Sequence, residues 1–295
     1  MSGRCCPITF DMRALVKSFV LIILATVISL PSHFAVGQEE AASETGCANT
    51  EVVSVPSRPS FSNGAATTQC GVLEVEYGWN QQWSGAGVQQ DSLGGGLRLG
   101  LTPKLDFHWS SDTFSQLQDG AAKERGFGDT WLGFKYRFLD ASKHRPALGI
   151  LYLAKIPSAS ESKGLGSGQA DHAISFLASR DLRQLHFDFN AIEYLAGSAS
   201  AHSLDRCTQF ALTASMPLRG RLAGVVEGYG ASNLNSDNPA FASTMAGLTY
   251  EVNPRLVLDA GLDVGVTHDA PHKRAYAGVT YAIGNAYAWL RSRHQ

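Results

Sequence analysis

Hydrophobic and polar residues alternate along most of the chain. In the stretch GFGDTWLGFKYRF, from Gly126 to Phe138, one parity carries Leu132, Phe134, Tyr136 and Phe138, and the other carries Gly133, Lys135 and Arg137. A period of two is typical of a β-strand whose faces meet different surroundings. The stretch therefore predicts a strand with one apolar, aromatic face and one small or cationic face. Asp129, just before this alternation, is expected to bond the first backbone groups of the strand.

Twelve segments with this alternation follow one another from about residue 72 to the end of the chain. Short turns, such as TPK at 102–104, alternate with longer polar loops, which are predicted at 84–91, 112–126 and 157–169. Short turns at one end of the strands and longer loops at the other are typical of barrels that cross a membrane. We therefore predict an all-β fold, a transmembrane antiparallel up-and-down β-barrel of about 12 strands with both termini at the periplasmic end.

A soluble all-β sandwich or barrel would alternate as well, so the two faces have to be compared. The polar face of a soluble sheet is usually solvated and rich in Lys, Glu and Thr. Here the less apolar face holds mostly Gly, Asp, Arg, His and Asn, and aromatic residues gather near the strand ends. Aromatic girdles of this kind lie at membrane interfaces, so the pattern favours the membrane barrel. The alternation is weakest near 171–179, 208–216 and 222–230.

The N-terminus predicts export. Arg13 and Lys17 precede an apolar run of about 13 residues, and small residues follow at 35–37. This is the pattern of a secretory signal peptide, and the run is shorter than the ~20 residues of a membrane-spanning helix. We predict a signal peptide over residues 1–37.

The remaining chain divides into two parts by composition. Residues 38–69 are polar and rich in Ser, Thr, Ala and Glu, and they predict an extended periplasmic leader. Residues 70–290 hold the alternating segments and predict the barrel in the cell outer membrane of a Gram-negative-type bacterium. The sequence leaves open whether the leader enters the barrel.

The cysteines fit an exported protein. Cys47 and Cys70 remain near the mature N-terminus, and in an oxidising compartment a disulfide between them is expected. Cys207 is left without a partner. The sequence contains no CxxC motif and no Cys/His pairing at metal-ligand spacing, so no metal site is predicted.

Charge limits the classes of partner. The 295 residues carry a formal net charge of −2, and 17% of them are charged, against about 25% in ordinary soluble domains. A chain this close to neutral is not expected to bind nucleic acid. The expected partners are outer-membrane lipid and a small-molecule solute, with no cofactor.

If the apolar parity faces lipid, the other parity lines the lumen. The predicted lumen-lining residues on the solute path are Glu74, Glu76, Arg98, Asp106, His108, Lys135, Arg137, Asp188, Asn190, Asp259 and Asp263. Ionised groups in a narrow lumen need partners or water, so Asp106 is expected near Lys135 or Arg137. Two interpretations stay open: a polar path for a solute, or a salt-bridged plug that only stabilises the barrel.

Four stretches carry a family resemblance: NGAATTQCGVLEVEYGW (63–79), LGLTPKLDF (99–107), GFGDTWLGFKYRF (126–138) and VNPRLVLDAGLDVGVT (252–267). They resemble the outer-membrane transporter family named for the MetA-pathway of phenol degradation. The matching positions are Glu74, Glu76, Gly126, Gly128, Asp129, Gly133, Lys135, Tyr136, Arg137, Asp259 and Gly261. The resemblance implies an outer-membrane barrel that takes up small, aromatic or hydrophobic compounds. Two features depart from the pattern: IPSASESKG replaces a Pro-Thr-Gly sequence after the fifth strand, and no aromatic residue ends the chain, Trp289 being the nearest.

The predicted function is a channel or transporter for the passive uptake of such solutes. The alternatives are a plugged structural or ligand-sensing barrel and a barrel-embedded hydrolase. A hydrolase requires a nucleophile, a base and an orienting group in contact. His108, His172, His186 and His202 stand apart from any recognisable nucleophile motif, and no G-x-S-x-G occurs. We therefore predict no enzymatic activity and no catalytic residues.

Overall fold

The computed structural model describes residue 47 and residues 51–197, 204–235 and 238–292. The predicted signal peptide, His202 and most of residues 38–50 lie outside this range. Thirteen strands form one sheet: β1 (Val72–Trp83), β2 (Gln89–Thr102), β3 (Leu105–Asp119), β4 (Ala122–Gly126), β5 (Thr130–Leu139), β6 (Ala147–Ile156), β7 (His172–Leu182), β8 (Leu185–Gly197), β9 (Leu204–Arg219), β10 (Leu222–Ala231), β11 (Phe241–Asn253), β12 (Leu256–Gly265) and β13 (Lys273–Asn285).

The sheet closes on itself. With β4 left aside, each strand pairs antiparallel with the next in sequence, and β1 pairs with β13 to complete the ring. The strand β4 lies outside the ring. It pairs with residues 115–119 of β3, whereas β5 pairs with residues 105–111 of the same strand, so β3 and β5 are neighbours in the wall. Twelve strands therefore form the wall of an up-and-down barrel, and the predicted fold is confirmed.

Strand parity separates two faces in every part of the wall. On β5, the side chain of Phe134 is 49% exposed, whereas its neighbour Lys135 is 1% exposed. The outward set is large and apolar; it includes Leu93, Phe134, Tyr136, Phe138, Ile150, Tyr152, Ile174, Phe176, Phe189, Phe210, Val226, Leu248, Tyr250, Leu258, Leu262, Tyr281 and Ile283. A continuous apolar surface of this extent is covered by lipid in a barrel of this kind.

The ends of the barrel differ in their connections. One end has short turns, such as the turn at 103–104 and the turn at 254–255, and the other end has longer loops. We call these the short-turn end and the long-loop end. By the usual orientation of such barrels, the short-turn end faces the periplasm.

Two of the predicted loops are shorter than expected. The loop at 84–91 is reduced to Ser84–Val88, which contains the 3-10 turn Gly85–Gly87, because β2 begins at Gln89. The predicted loop at 112–126 is a hairpin of β3 and β4. Apart from Phe114 and Leu117 its residues are mostly polar or small, so no regular hydrophobic alternation marks them. Backbone pairing of β3 with β2 and β4 forms the strands instead.

The last strand ends at Asn285, and the short helix α1 (Ala286–Ser292) follows it. Trp289 therefore lies beyond the barrel wall. Among the described residues, no helix is long and apolar enough to cross a membrane.

Candidate functional site

Residues 51–69 lie inside the barrel at its short-turn end. We call them the luminal segment. The Ser54 backbone N–H donates to the Pro254 carbonyl (2.8 Å), and the Thr67 hydroxyl donates to the Pro103 carbonyl (3.0 Å). Between these points the segment contacts inward-facing residues of β12, β10, β9, β8, β7, β5 and β3. It therefore follows most of the inner wall as an open ring, and the Cys47–Cys70 disulfide closes that ring.

Inward carboxylates hold the backbone of the luminal segment. Glu74 accepts from the Val55 N–H (2.6 Å), and Glu76 accepts from the Ser57 N–H (2.6 Å). Asp106 accepts from the Thr68 N–H (2.7 Å). The segment is not part of the sheet, so its buried N–H groups need acceptors from elsewhere. Carboxylates supply them as charge-assisted hydrogen bonds, which are stronger than neutral ones.

Glu227 holds two consecutive backbone N–H groups of the luminal segment at once. Its two carboxylate oxygens accept from the consecutive N–H groups of Phe61 and Ser62, both at 2.7 Å. The Thr213 hydroxyl also donates to this carboxylate (2.8 Å). Glu227 is almost fully buried. One side chain therefore anchors the middle of the luminal segment to β10.

Neutral side chains hold the next part of the segment. Asn190 accepts from the Asn63 N–H and donates to the Asn63 carbonyl, both at 2.8 Å. The Ser179 hydroxyl accepts from the Ala65 N–H (2.7 Å) and donates to Asp188 (2.5 Å). These pairs replace the ladder bonds that an extended chain makes inside a sheet.

The buried cations have counterions. The Nη2 atom of Arg98 lies 2.5 Å from a carboxylate oxygen of Glu74 and 2.7 Å from a carboxylate oxygen of Glu76. Lys135 lies opposite Asp106 in the β3–β5 register, with their charged atoms 3.9 Å apart. Pairing of this kind is what makes buried charges tolerable.

The remaining predicted residues also face the interior or its short-turn rim. Arg137 lies 3.1 Å from Asp140 in the β5–β6 turn, and His108 lies 2.8 Å from Asp106. Asp263 accepts a hydrogen bond from the Tyr229 hydroxyl. Whether these eleven residues form a solute path stays a prediction.

Arg58 crosses from the luminal segment to the wall, where its Nε lies 3.1 Å from the Asp259 carboxylate. Gly78 and Gly278 lie opposite each other in the β1–β13 register beneath this guanidinium. A Cβ on either glycine would lie 2.6 Å from Arg58 Nη2. The two glycines therefore leave the space that the arginine occupies.

Glu227, Thr213 and Ser179 were not predicted as functional residues. They lie on β10, β9 and β7, where the alternation of the sequence is weakest. Glu227 lies in the run LAGVVEGYGA, both faces of which are small or apolar. A single acid within such a run is the signal that marks it as an inward residue.

The half of the lumen at the long-loop end, which we call the outer half, is built differently from the half that holds the luminal segment. It contains a cavity of about 400 Å³, which we call the outer cavity. Its lining residues are Gln90, Gly95, Ser110, Ser111, Asp112, Ser115, Gly128, Asp129, Trp131, Lys155, Leu165 and Tyr194. All of them lie on the outer parts of strands or in the long loops. The Trp131 and Tyr194 ring centroids are 6.3 Å apart, so two aromatic rings form part of one wall.

The loop between β6 and β7 borders this cavity and is tied to Asp129. One Asp129 oxygen accepts from the Ala159 N–H (2.9 Å), and the other lies 3.4 Å from Lys155 Nζ. Lys155 also lies 2.5 Å from Asp171, at the end of the same loop. The expectation that Asp129 bonds the first backbone groups of β5 is therefore wrong. Its carboxylate points across to the neighbouring loop and fixes that loop instead.

The histidines give no sign of a hydrolase. Ser179 and His186 both contact Asp188, but the serine donates to the aspartate rather than to the histidine. His172 contacts the outward-facing Tyr152. Within the described ranges, no serine hydroxyl bonds a histidine, and no three metal-ligating side chains cluster. The absence of enzymatic activity remains a prediction.

Residues 56–283 match the family described as "Putative MetA-pathway of phenol degradation". The chain belongs to this family. The resemblance predicted from the sequence is thereby confirmed, and the match begins within the luminal segment and ends on β13. Family membership, the closed barrel and its apolar outer face together locate the protein in the outer membrane.

Several solved structures are similar to the barrel. The NanC porin is 13% identical, and the alignment covers 72% of this chain and 100% of NanC, with a TM-score of 0.48. The CymD monoaromatic hydrocarbon channel is 10% identical over 73% of this chain and 89% of CymD (TM-score 0.42). Outer membrane phospholipase A from Escherichia coli is 10% identical over 70% of this chain and 92% of that one (TM-score 0.41). No curated protein sequence matches the chain.

Proposed function

We propose that this protein is an outer-membrane channel for small solutes whose periplasmic end is closed by the luminal segment. The observation that carries the proposal is the contrast within one lumen: the outer half holds a cavity of about 400 Å³, and the inner half is occupied by residues 51–69. A volume of this size suits a small molecule. The family description supports small aromatic compounds as the solutes.

The luminal segment has the properties of a movable closure. Apart from the backbone bond between Ser54 and Pro254, side-chain contacts hold it, and no sheet ladder includes it. It can therefore shift without breaking the hydrogen bonds between strands. Water that follows it into the lumen would solvate the carboxylates it leaves. Passage of a solute then requires displacement of the segment and leaves the wall intact.

Conductance and liposome swelling test the proposal with the full chain and with a variant that lacks residues 51–66. The deletion keeps Cys47 and Cys70. We expect low flux of phenol-sized solutes through the full chain and at least a tenfold increase in conductance for the deletion variant. High flux through both proteins would support a channel and exclude the luminal segment as its closure. No flux through either would overturn the channel.

The number of contacts made by the luminal segment also favours a second candidate, a permanently closed barrel that senses a ligand. In that case the full chain would bind a solute in the outer cavity and never release it into the liposome. Binding without flux, under voltages and solute gradients that open other barrels, would favour this candidate.

A further inference from the structure

Asp112 differs from the other inward acids discussed above. It lies on the outer half of β3 and lines the outer cavity. Among residues 51–197, 204–235 and 238–292, its carboxylate has no ion-pair or hydrogen-bond partner, whereas Glu74, Asp106 and Glu227 each accept from the luminal segment. A carboxylate that faces a cavity without a protein partner is available to a ligand.

Two glycines make the niche in which this carboxylate lies. A Cβ on Gly94 would collide with the Asp112 carboxylate, and a Cβ on Gly128 would lie 2.8 Å from the Asp112 Cβ. Gly94 belongs to the glycine-rich part of β2, and Gly128 belongs to the stretch GFGD before β5. Strand β2 and the connection between β4 and β5 therefore both leave space for this one side chain.

The surroundings define which ligand the carboxylate fits. Ser110, Ser111 and Ser115 lie near it on the same strand and line the same cavity. Lys155 is the one cation among these lining residues, and it already pairs with Asp129 and Asp171, so no lining residue compensates the charge of Asp112. A carboxylate in such a place favours a hydrogen-bond donor and repels an anion.

The rings of Trp131 and Tyr194 supply the other half of the recognition. The Tyr194 hydroxyl donates to Asp171 (2.5 Å), which fixes the ring beside the indole of Trp131. Aromatic faces bind flat rings by stacking or edge contacts. Leu165 of the β6–β7 loop adds an apolar contact at the rim.

We propose that the outer cavity is a binding site for neutral ring compounds that carry a hydroxyl donor, with Asp112 as the residue that determines specificity. The hydroxyl donates to the Asp112 carboxylate, and the ring lies against Trp131 and Tyr194. Ring compounds that carry a carboxylate are rejected. The role of this site in uptake rests on the proposed function, but binding at the site does not.

Titration calorimetry on the detergent-solubilised full chain tests the site with two probes, phenol and benzoate at neutral pH. They share a ring and differ in the group that would meet Asp112. We expect the wild-type protein to bind phenol at least tenfold more tightly than benzoate. This measurement needs no variant. Equal affinity for the two probes, or binding of neither, would overturn the proposal.

The variant Asp112→Asn keeps the shape of the side chain and removes its charge. We expect it to bind phenol about tenfold more weakly and to lose most of the discrimination against benzoate. The matched control is Asp119→Asn, the same change at the exposed tip of the β3–β4 hairpin, which should alter neither affinity. Unchanged affinities in a folded Asp112→Asn variant would exclude Asp112 as the determinant.

The outcomes separate this proposal from the channel itself. Discrimination between the probes in binding, without flux of either, would retain the site and remove the channel function. Flux of phenol and benzoate at equal rates, with equal binding, would retain the channel and remove the site.

Discussion

The two halves of the lumen use the same kind of residue for different purposes. Asp106 and Asp112 both lie on β3 and both face inward, yet Asp106 accepts a backbone N–H from the luminal segment and Asp112 faces the outer cavity. Alternation along a strand decides which residues face inward. Depth along the barrel decides whether an inward acid holds the protein's own chain or remains available to a solute.

The largest expected effect concerns the assignment of faces, on which this comparison depends. Phe134→Arg puts a cation on the lipid-facing side of β5, at a cost of about 2–4 kcal/mol near the middle of the bilayer. We expect the variant to fail to assemble, as measured by heat-modifiable migration of the folded barrel on gels. Phe134→Leu is the matched control and should assemble normally. Full assembly of Phe134→Arg would mean that the two faces have been exchanged.

The disulfide gives the next largest effect, and it acts on the short-turn half alone. Opening the Cys47–Cys70 bond releases a loop with a sequence separation of 23 residues. The chain-entropy model assigns about 3 kcal/mol to a closure of this length. We expect Cys47→Ser to raise the frequency of open-channel events in planar bilayers and to expose the luminal segment to added protease.

Cys207 provides the control for this cysteine change. It is buried on β9 and carries no disulfide. Cys207→Ser should leave channel opening and protease resistance as in the wild type. Equal behaviour of the two serine variants would show that the disulfide does not restrain the luminal segment.

Glu227 tests the same half of the lumen without a covalent change. Glu227→Leu leaves the N–H groups of Phe61 and Ser62 without their acceptor, and each buried unpaired group costs about 1–3 kcal/mol. We expect faster hydrogen exchange at these two amides and a higher basal conductance. Glu227→Gln keeps one acceptor oxygen and should lie between wild type and Glu227→Leu. Unchanged exchange in Glu227→Leu would contradict the anchoring role.

The smallest effect lies outside the membrane, between two short turns. Lys104 donates to Asp140 (2.6 Å), and this hydrogen bond, with the charges of Arg137 and Lys104, lowers the pKa of the Asp140 carboxyl. A carboxyl whose pKa falls on folding adds stability above its unfolded pKa of about 3.9, and the gain is lost as the pH drops through the folded pKa. Both side chains are more than one-third exposed, so the pair contributes about 0.2–1 kcal/mol.

Thermal unfolding of Asp140→Asn across pH checks this sign. We expect a slightly lower Tm than wild type at pH 7 and a difference that shrinks as the pH falls below the unfolded pKa of about 3.9 and through the lowered folded pKa. A difference that grows as the pH falls would contradict the assignment.

The barrel was predictable because one rule, the alternation of inward and outward residues along a strand, applies to every strand of the wall. The alternation around Phe134 and Lys135 assigns both faces of β5, and the same rule found all twelve wall strands. The rule carries no information about the luminal segment, which has no alternation and no strand partner. The acceptor of the Phe61 N–H is 166 residues away in sequence, so its position follows from the closed wall rather than from any local pattern. The β3–β4 hairpin escaped prediction for a related reason, since its residues are mostly polar and backbone pairing alone defines its strands.

Arg58, Gly78 and Gly278 have a consequence for how chains of this family diverge. A guanidinium that fills the space above two glycines couples three positions spread over more than two hundred residues. A descendant that gains a side chain at Gly278 has to shorten residue 58 as well, and one that loses the arginine releases Gly278. Gly78 stays restricted in either case, because a Cβ there would also lie 2.6 Å from the Ala277 carbonyl oxygen. Aligned sequences of the family should therefore show correlated substitutions between residue 58 of the luminal segment and the β1–β13 pair that closes the barrel.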